Sequence, residues 1–126
     1  MSDEITVAAQ IQLANGDLDS FQISTGSLQF DQDTAAPVRV AGTQIIGNAA
    51  HEALTITDLT TLGWCYFRNR DATNFVQLGV DVAATFYPLV RIKPGEIALF
   101  RMSQGITPYA QADTAAVILE RVILDD

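Results

Sequence analysis

The chain has 126 residues, 17% of them charged, and its fifteen carboxylates against seven lysines and arginines give a formal charge of −8. That is enough length for one domain spanning 1–126 with a core that needs neither disulfide nor metal, while the low charged fraction leaves apolar surface to hide and predicts self-association. The acidic balance, with the cations scattered as Arg39, Arg68, Arg70, Arg91, Lys93, Arg101 and Arg121, excludes a surface built to track nucleic acid or anionic lipid.

The odd positions Ile5, Val7, Ala9, Ile11 and Leu13, with Thr6, Gln10 and Gln12 between them, carry the period-two signature of a half-buried strand. Asn15-Gly16 predicts a two-residue hairpin turn with both residues at positive φ. The return strand places Phe21 and Ile23 on odd positions but Leu28 and Phe30 on even ones, so a bulge or bend is expected at Gly26. Asp31 to Pro37 reads as loop, Val38 to Ile46 as a short strand interrupted at Gly42, and Asn48 to Glu52 as loop. Leu54 and Ile56 suggest a further short strand, with Thr57 to Thr61 turning the chain.

Trp64 to Phe67 is apolar on both faces, which predicts a central strand covered on each side. Cys65, the one cysteine, lies inside it and reads as a buried, inert thiol. Strands over Phe75 to Val80 and Phe86 to Ile92 come next, and Lys93-Pro94-Gly95-Glu96 has the residues of a type II turn, with a hairpin to Ile97–Met102 expected. Gly105 to Pro108 breaks that strand, Tyr109 to Ala112 starts another, and Ala116 to Leu124 closes the series with apolar residues on both faces around Glu120 and Arg121. About nine or ten short strands and no sustained helical spacing predict an all-β, antiparallel β-sandwich, with the jelly roll as one form of it. After Met1 come Ser2, Asp3 and Glu4, and no stretch reaches the roughly 20 apolar residues of a membrane span. Synthesis in the cytoplasm without export is expected.

Catalytic constellations are sparse. His51 is the only histidine and reads as a solvent-facing loop residue, and no nucleophile elbow or phosphate loop is present. Asp17 with Asp19 and Asp31 with Asp33 are the nearest carboxylate pairs, but all four flank turns. The oxygen-rich stretch Asn69, Asp71, Thr73, Asn74 admits a calcium reading, although an Asx-stabilised turn explains it better. Trp64, Tyr66, Tyr87 and Tyr109 form either a sugar-stacking platform or core packing, and the sequence favours the core. Arg68, Arg91 and Arg101 stand beside large apolar residues, where they pair either across strands or with a neighbouring subunit. No enzyme, metal or cofactor is expected.

The runs Leu62-Gly63-Trp64-Cys65-Tyr66-Phe67-Arg68-Asn69-Arg70-Asp71, Thr73-Asn74-Phe75-Val76-Gln77-Leu78-Gly79 and Ile92-Lys93-Pro94-Gly95-Glu96, with Ala98-Leu99-Phe100-Arg101, resemble small β-sandwich structural proteins of tailed bacteriophages and prophages. The resemblance covers the chain from Ile56 onward and rests on turn and packing signatures; Arg70 departs from it, standing where an apolar residue is expected. It implies a non-enzymatic virion component, foremost a capsid cement or decoration protein on the head surface, bound to the major capsid protein as a homo-oligomer such as a trimer. A tail, neck or fibre subunit, or a carbohydrate-binding module for host attachment, are the competing readings. Trp64, Tyr66, Phe100 and Arg101 are the expected anchors of core or interface, with the two roles not separated by sequence.

Overall fold

The computed structural model describes residues 4–16, 19–32 and 39–126 and is all-β, with ten strands among them and every pairing antiparallel. The sequence reading treats 1–126 as one domain; the contacts within the chain fall into two compact units, Met1–Ala36 and Pro37–Asp126.

The first unit is a hairpin of β1 (Ile5–Asn15) and β2 (Asp19–Phe30). Its turn differs from the expected two-residue form, because Asn15 pairs with Asp19 and residues 16–18 lie between them, with Gly16 at φ 54°. The register explains the difference. A two-residue turn at Asn15-Gly16 would set Phe21 opposite Gln10, whereas the observed register sets Leu13 opposite Phe21 and Ile11 opposite Ile23, gathering the apolar residues on one face. The bulge forms where the change of phase predicts it. Ala9 alone faces the two residues Thr25 and Gly26, Gly26 takes φ 64°, and the Ala9 amide donates to Thr25 Oγ1 at 3.0 Å.

The second unit holds β3 (Arg39–Ile46), β4 (Glu52–Ala53), β5 (Leu62–Asn69), β6 (Val76–Val82), β7 (Thr85–Ile92), β8 (Ile97–Arg101), β9 (Tyr109–Ala112) and β10 (Val117–Asp125). They form two four-stranded sheets, in the orders β3-β10-β5-β8 and β4-β9-β6-β7. The pairing is nested, β3 with β10, β4 with β9, β5 with β8 and β6 with β7, so partners are drawn from progressively closer points along the chain. Between the sheets, Phe67, Ile46, Ile92, Leu119, Ile123, Val76 and Val117 are fully buried, and Phe67 stacks with Phe100 at 5.8 Å between ring centroids. Covering faces of this apolar area is the main stabilising term of the unit.

Three sequence expectations are corrected here. Leu54 and Ile56 are not strand residues: β4 is only Glu52–Ala53, and Leu54 and Ile56 instead pack into the core from the segment that follows. Lys93 to Glu96 makes its turn, with Gly95 at φ 79° and the Glu96 amide donating to the Lys93 carbonyl at 3.0 Å, yet β7 and β8 belong to different sheets. The turn is a crossover because it is tied to the end of β5: the Gly95 amide donates to Asn69 O at 3.0 Å and the Asn69 amide to Glu96 O at 3.1 Å. Finally, β5 is an interior strand as expected, but only its inner face is fully covered; Trp64, Tyr66 and Arg68 on the other face are half-buried.

Candidate interaction surfaces

Pairing register sorts the four expected anchors. Cys65 opposes Phe100, and both turn inward with Phe67, so Phe100 is a core residue. Trp64 opposes Arg101, and Tyr66 lies between Leu99 and Val122, all on the outward face of the β3-β10-β5-β8 sheet. Arg101 is held there by Asp126 Oδ2 at 2.8 Å, with its guanidinium carbon 5.8 Å from the Trp64 ring centroid. That face continues through the Ile45–Ile118 pair and Ile97, which are 68%, 48% and 59% exposed.

The alternation that hides apolar residues in the sandwich leaves them open in the hairpin. Ile11 is 65% exposed, Leu13 47%, Phe21 53% and Ile23 58%, which corrects the expectation of a half-buried first strand: only Ile5 on its odd positions is buried. A third apolar feature lies where β7 and β8 border the sandwich, a cavity of about 380 Å³ lined by Leu78, Val80, Leu89, Phe100, Met102 and Ile106. Leu89 is the extra residue of a bulge opposite Leu78 and Gly79, and it stands 76% exposed beside Pro88. Proline and a bulge on this edge strand discourage another strand from pairing with it.

Polar candidates are mostly consumed by local structure. His51 sits in the loop before β4 as expected, but it is partly buried rather than solvent-facing. It stacks on Phe86 at 5.3 Å, lies 5.6 Å from Tyr109, and its Nε2 donates to Asp81 Oδ2. The other Asp81 oxygen accepts the Ala84 amide at 3.2 Å, bracing a turn in which Ala83 and Ala84 both hold positive φ. The His51 hydrogen bond, followed by the Ala84 amide, holds the Asp81 carboxyl below the usual aspartate range. The pair reads as a brace, since Asp81 joins the His51 loop to the turn at Ala83 and Ala84.

Asn69 is fully buried and donates through Nδ2 to the Asn74 and Ile92 carbonyls at 2.8 and 3.0 Å, while its Oδ1 accepts the Asp71 amide. Asp71 Oδ2 accepts the amides of Thr73 and Asn74 at 2.9 and 2.6 Å, and these bonds hold its carboxyl below the usual range. Asn69 Oδ1 and Asp71 Oδ2 of the calcium candidate are thereby engaged in an Asx-type turn. Of the carboxylate pairs, Asp17 and Asp33 lie outside the described residues. The four aromatic candidates do not share a platform: Trp64 and Tyr66 lie on one sheet, Tyr87 and Tyr109 on the other.

Sequence reasoning missed Arg121. It shares the inward parity of Leu119 and Ile123, is 7% exposed, and burial lowers the pKa of its guanidinium. Burial likewise pushes the Cys65 thiol up to about 11, in keeping with an unreactive core cysteine. Arg91 lies 4.2 Å over the Phe75 ring, so both Arg91 and Arg101 find partners within the chain. No protein-family model and no curated protein matches the chain.

Proposed function

We propose that this chain is a non-enzymatic structural subunit of a tailed-phage virion, and foremost a cement or decoration protein on the capsid head. The nested pairing of the two sheets is read as a jelly roll, a fold common in shell-building proteins. The observation that carries the proposal is the disposition of surface chemistry. Polar groups such as Asn69, Asp71, His51 and Asp81 are spent on turns and braces, whereas apolar side chains on the hairpin and on one sheet face remain open to a partner. Such a molecule works by burying area across subunit boundaries, and many weak contacts on a closed shell add up through avidity.

The partner in this reading is the major capsid protein, and the state that binds it is a homo-oligomer such as a trimer. The acidic balance keeps the subunit from adhering to packaged DNA. Counting copies of this chain per major capsid protein, in purified particles with heads and tails separated, tests the proposal. A ratio near one, or a simple fraction of one, in the head fraction is the expected result. A few copies confined to tails would move the assignment to a tail or neck subunit, and absence from particles would overturn the virion reading.

A further inference from the structure

Two exposed apolar surfaces of this chain differ in sign of charge. Residues 1–36 contain six carboxylates, Asp3, Glu4, Asp17, Asp19, Asp31 and Asp33, and no lysine or arginine, so all seven cations lie in 37–126. On the hairpin, cross-strand pairs Ile11–Ile23 and Leu13–Phe21 make a continuous apolar stripe on this acidic segment. A two-stranded ribbon has no second layer with which to cover such a stripe. On the outward face of the β3-β10-β5-β8 sheet, Leu99 and Val122 flank Tyr66, and Ile97 beside Arg68 and the Ile45–Ile118 pair add exposed apolar area further along the same face. Arg39, Arg68 and Arg101 stand on that face with the carboxylates Glu120, which Arg70 Nη2 approaches at 3.5 Å, and Asp126, which Arg101 holds at 2.8 Å.

We propose that the hairpin of one copy docks its apolar stripe on the outward sheet face of a second copy. Charge decides between the ways two copies can meet. Hairpin against hairpin opposes two segments whose charged side chains are all negative, whereas hairpin against sheet sets a ribbon flanked at its turn and ends by carboxylates on an arginine-bearing face. Length agrees as well: strands of 11 and 12 residues give a ribbon about 36 Å long at ~3.3 Å per residue, a match for the nine-residue β10 and its neighbours, about 30 Å. The contact is heterologous, since each copy offers one ribbon and one face, and it yields a discrete assembly when the rotation between copies closes a ring. The inference is independent of the virion reading, because the purified chain tests it with no particle present.

Sedimentation velocity on the full chain at low salt is expected to show a discrete species heavier than the 13.6 kDa monomer, dissociating as salt is added. Ile11→Asp with Ile23→Asp, and separately Ile97→Asp with Ile118→Asp, are each expected to give monomers with unchanged far-ultraviolet circular dichroism, as these side chains are exposed. An equimolar mixture of the two variants should regain a dimer, because one intact ribbon then meets one intact face. A monomeric wild-type chain, a sheet variant that still associates, or a mixture that stays monomeric would each overturn the proposal. A photo-crosslinking benzoylphenylalanine at position 23 of the otherwise unaltered chain provides a test that needs no disruptive variant. Links to peptides of β3, β5, β8 or β10 in the second copy are expected, and links confined to β1 and β2 would refute it.

Discussion

The hairpin and the sandwich are written in the same alphabet and end in opposite states. Both alternate apolar with polar residues, yet Phe67 in β5 is 0% exposed and Phe21 in β2 is 53% exposed. The difference is one of layers: β5 lies between β10 and β8 with a second sheet over it, whereas β1 and β2 have only each other. Strand periodicity therefore dictates which side chains share a face, and the presence of a covering layer decides whether that face is core or contact surface.

Truncating the same residue type in both regions gives the largest contrast. Phe67→Ala is expected to cost about 3–5 kcal/mol, because it removes a fully buried ring stacked on Phe100 and leaves a cavity. Phe21→Ala, measured on dilute protein, should change stability by no more than about 0.5 kcal/mol. Urea unfolding followed by the fluorescence of Trp64 reads the first, and amide exchange in β1 and β2 reads the second. Equal losses would mean that the hairpin face is covered after all and would erase the distinction.

Glycines sharpen the comparison at the next level of effect. At Gly79 a Cβ would overlap the Tyr87 carbonyl oxygen and lie 2.8 Å from Pro88 Cα, so Gly79→Ala forces the β6–β7 bulge apart at about 1–3 kcal/mol. At Gly26 a Cβ meets nothing within 4 Å, and the penalty of Gly26→Ala is the backbone cost of φ 64°, about 1 kcal/mol. The first change should lower the unfolding midpoint of the sandwich, and the second should leave that midpoint in place while loosening amide exchange in β1 and β2.

Much of this architecture is legible in the sequence because it depends on neighbours along the chain. The bulge at Thr25-Gly26 follows from Phe21 and Ile23 changing phase to Leu28 and Phe30, and the Lys93 to Glu96 turn follows from Pro94 and Gly95. What stays hidden depends on residues far apart. The type of that turn is local, but its use as a crossover is set by Asn69, 26 residues before Gly95, whose backbone bonds the turn and whose side chain bonds the Ile92 carbonyl. His51 similarly reads as solvent-facing until Asp81 and Phe86 are folded beside its loop. The candidate surfaces are half legible: Trp64, Tyr66 and Arg101 do share an outward face, while Phe100 goes to the core by the alternation of β8 opposite Cys65.

Acid should weaken the sandwich through its turns. The Asp71 carboxyl titrates below its unfolded value, so its bonds to the Thr73 and Asn74 amides stabilise the fold at pH above the unfolded aspartate value of ~3.9. That contribution is lost as pH falls through the lower, folded value. The slope of stability against pH between about 5 and 2 should accordingly be shallower in Asp71→Asn than in the wild type. Parallel curves for the two proteins would show that the turn does not depend on the charge.

The smallest effects expected come from ion pairs on the outward sheet face, and they bear on whether that face is fixed before a partner arrives. Arg101 meets Asp126 at 2.8 Å beside Trp64, with the carboxylate side chain only 12% exposed, whereas Arg70 meets Glu120 at 3.5 Å with side chains 48% and 29% exposed. Shorter distance and lower exposure strengthen Coulomb attraction and reduce screening. Double-mutant cycles should therefore give a coupling of up to about 1 kcal/mol for Arg101–Asp126 and under about 0.5 kcal/mol for Arg70–Glu120. Added salt should shrink the second more than the first. The reverse ranking would mean that Arg101 is mobile in the free chain and that the outward face is organised only on contact with another surface.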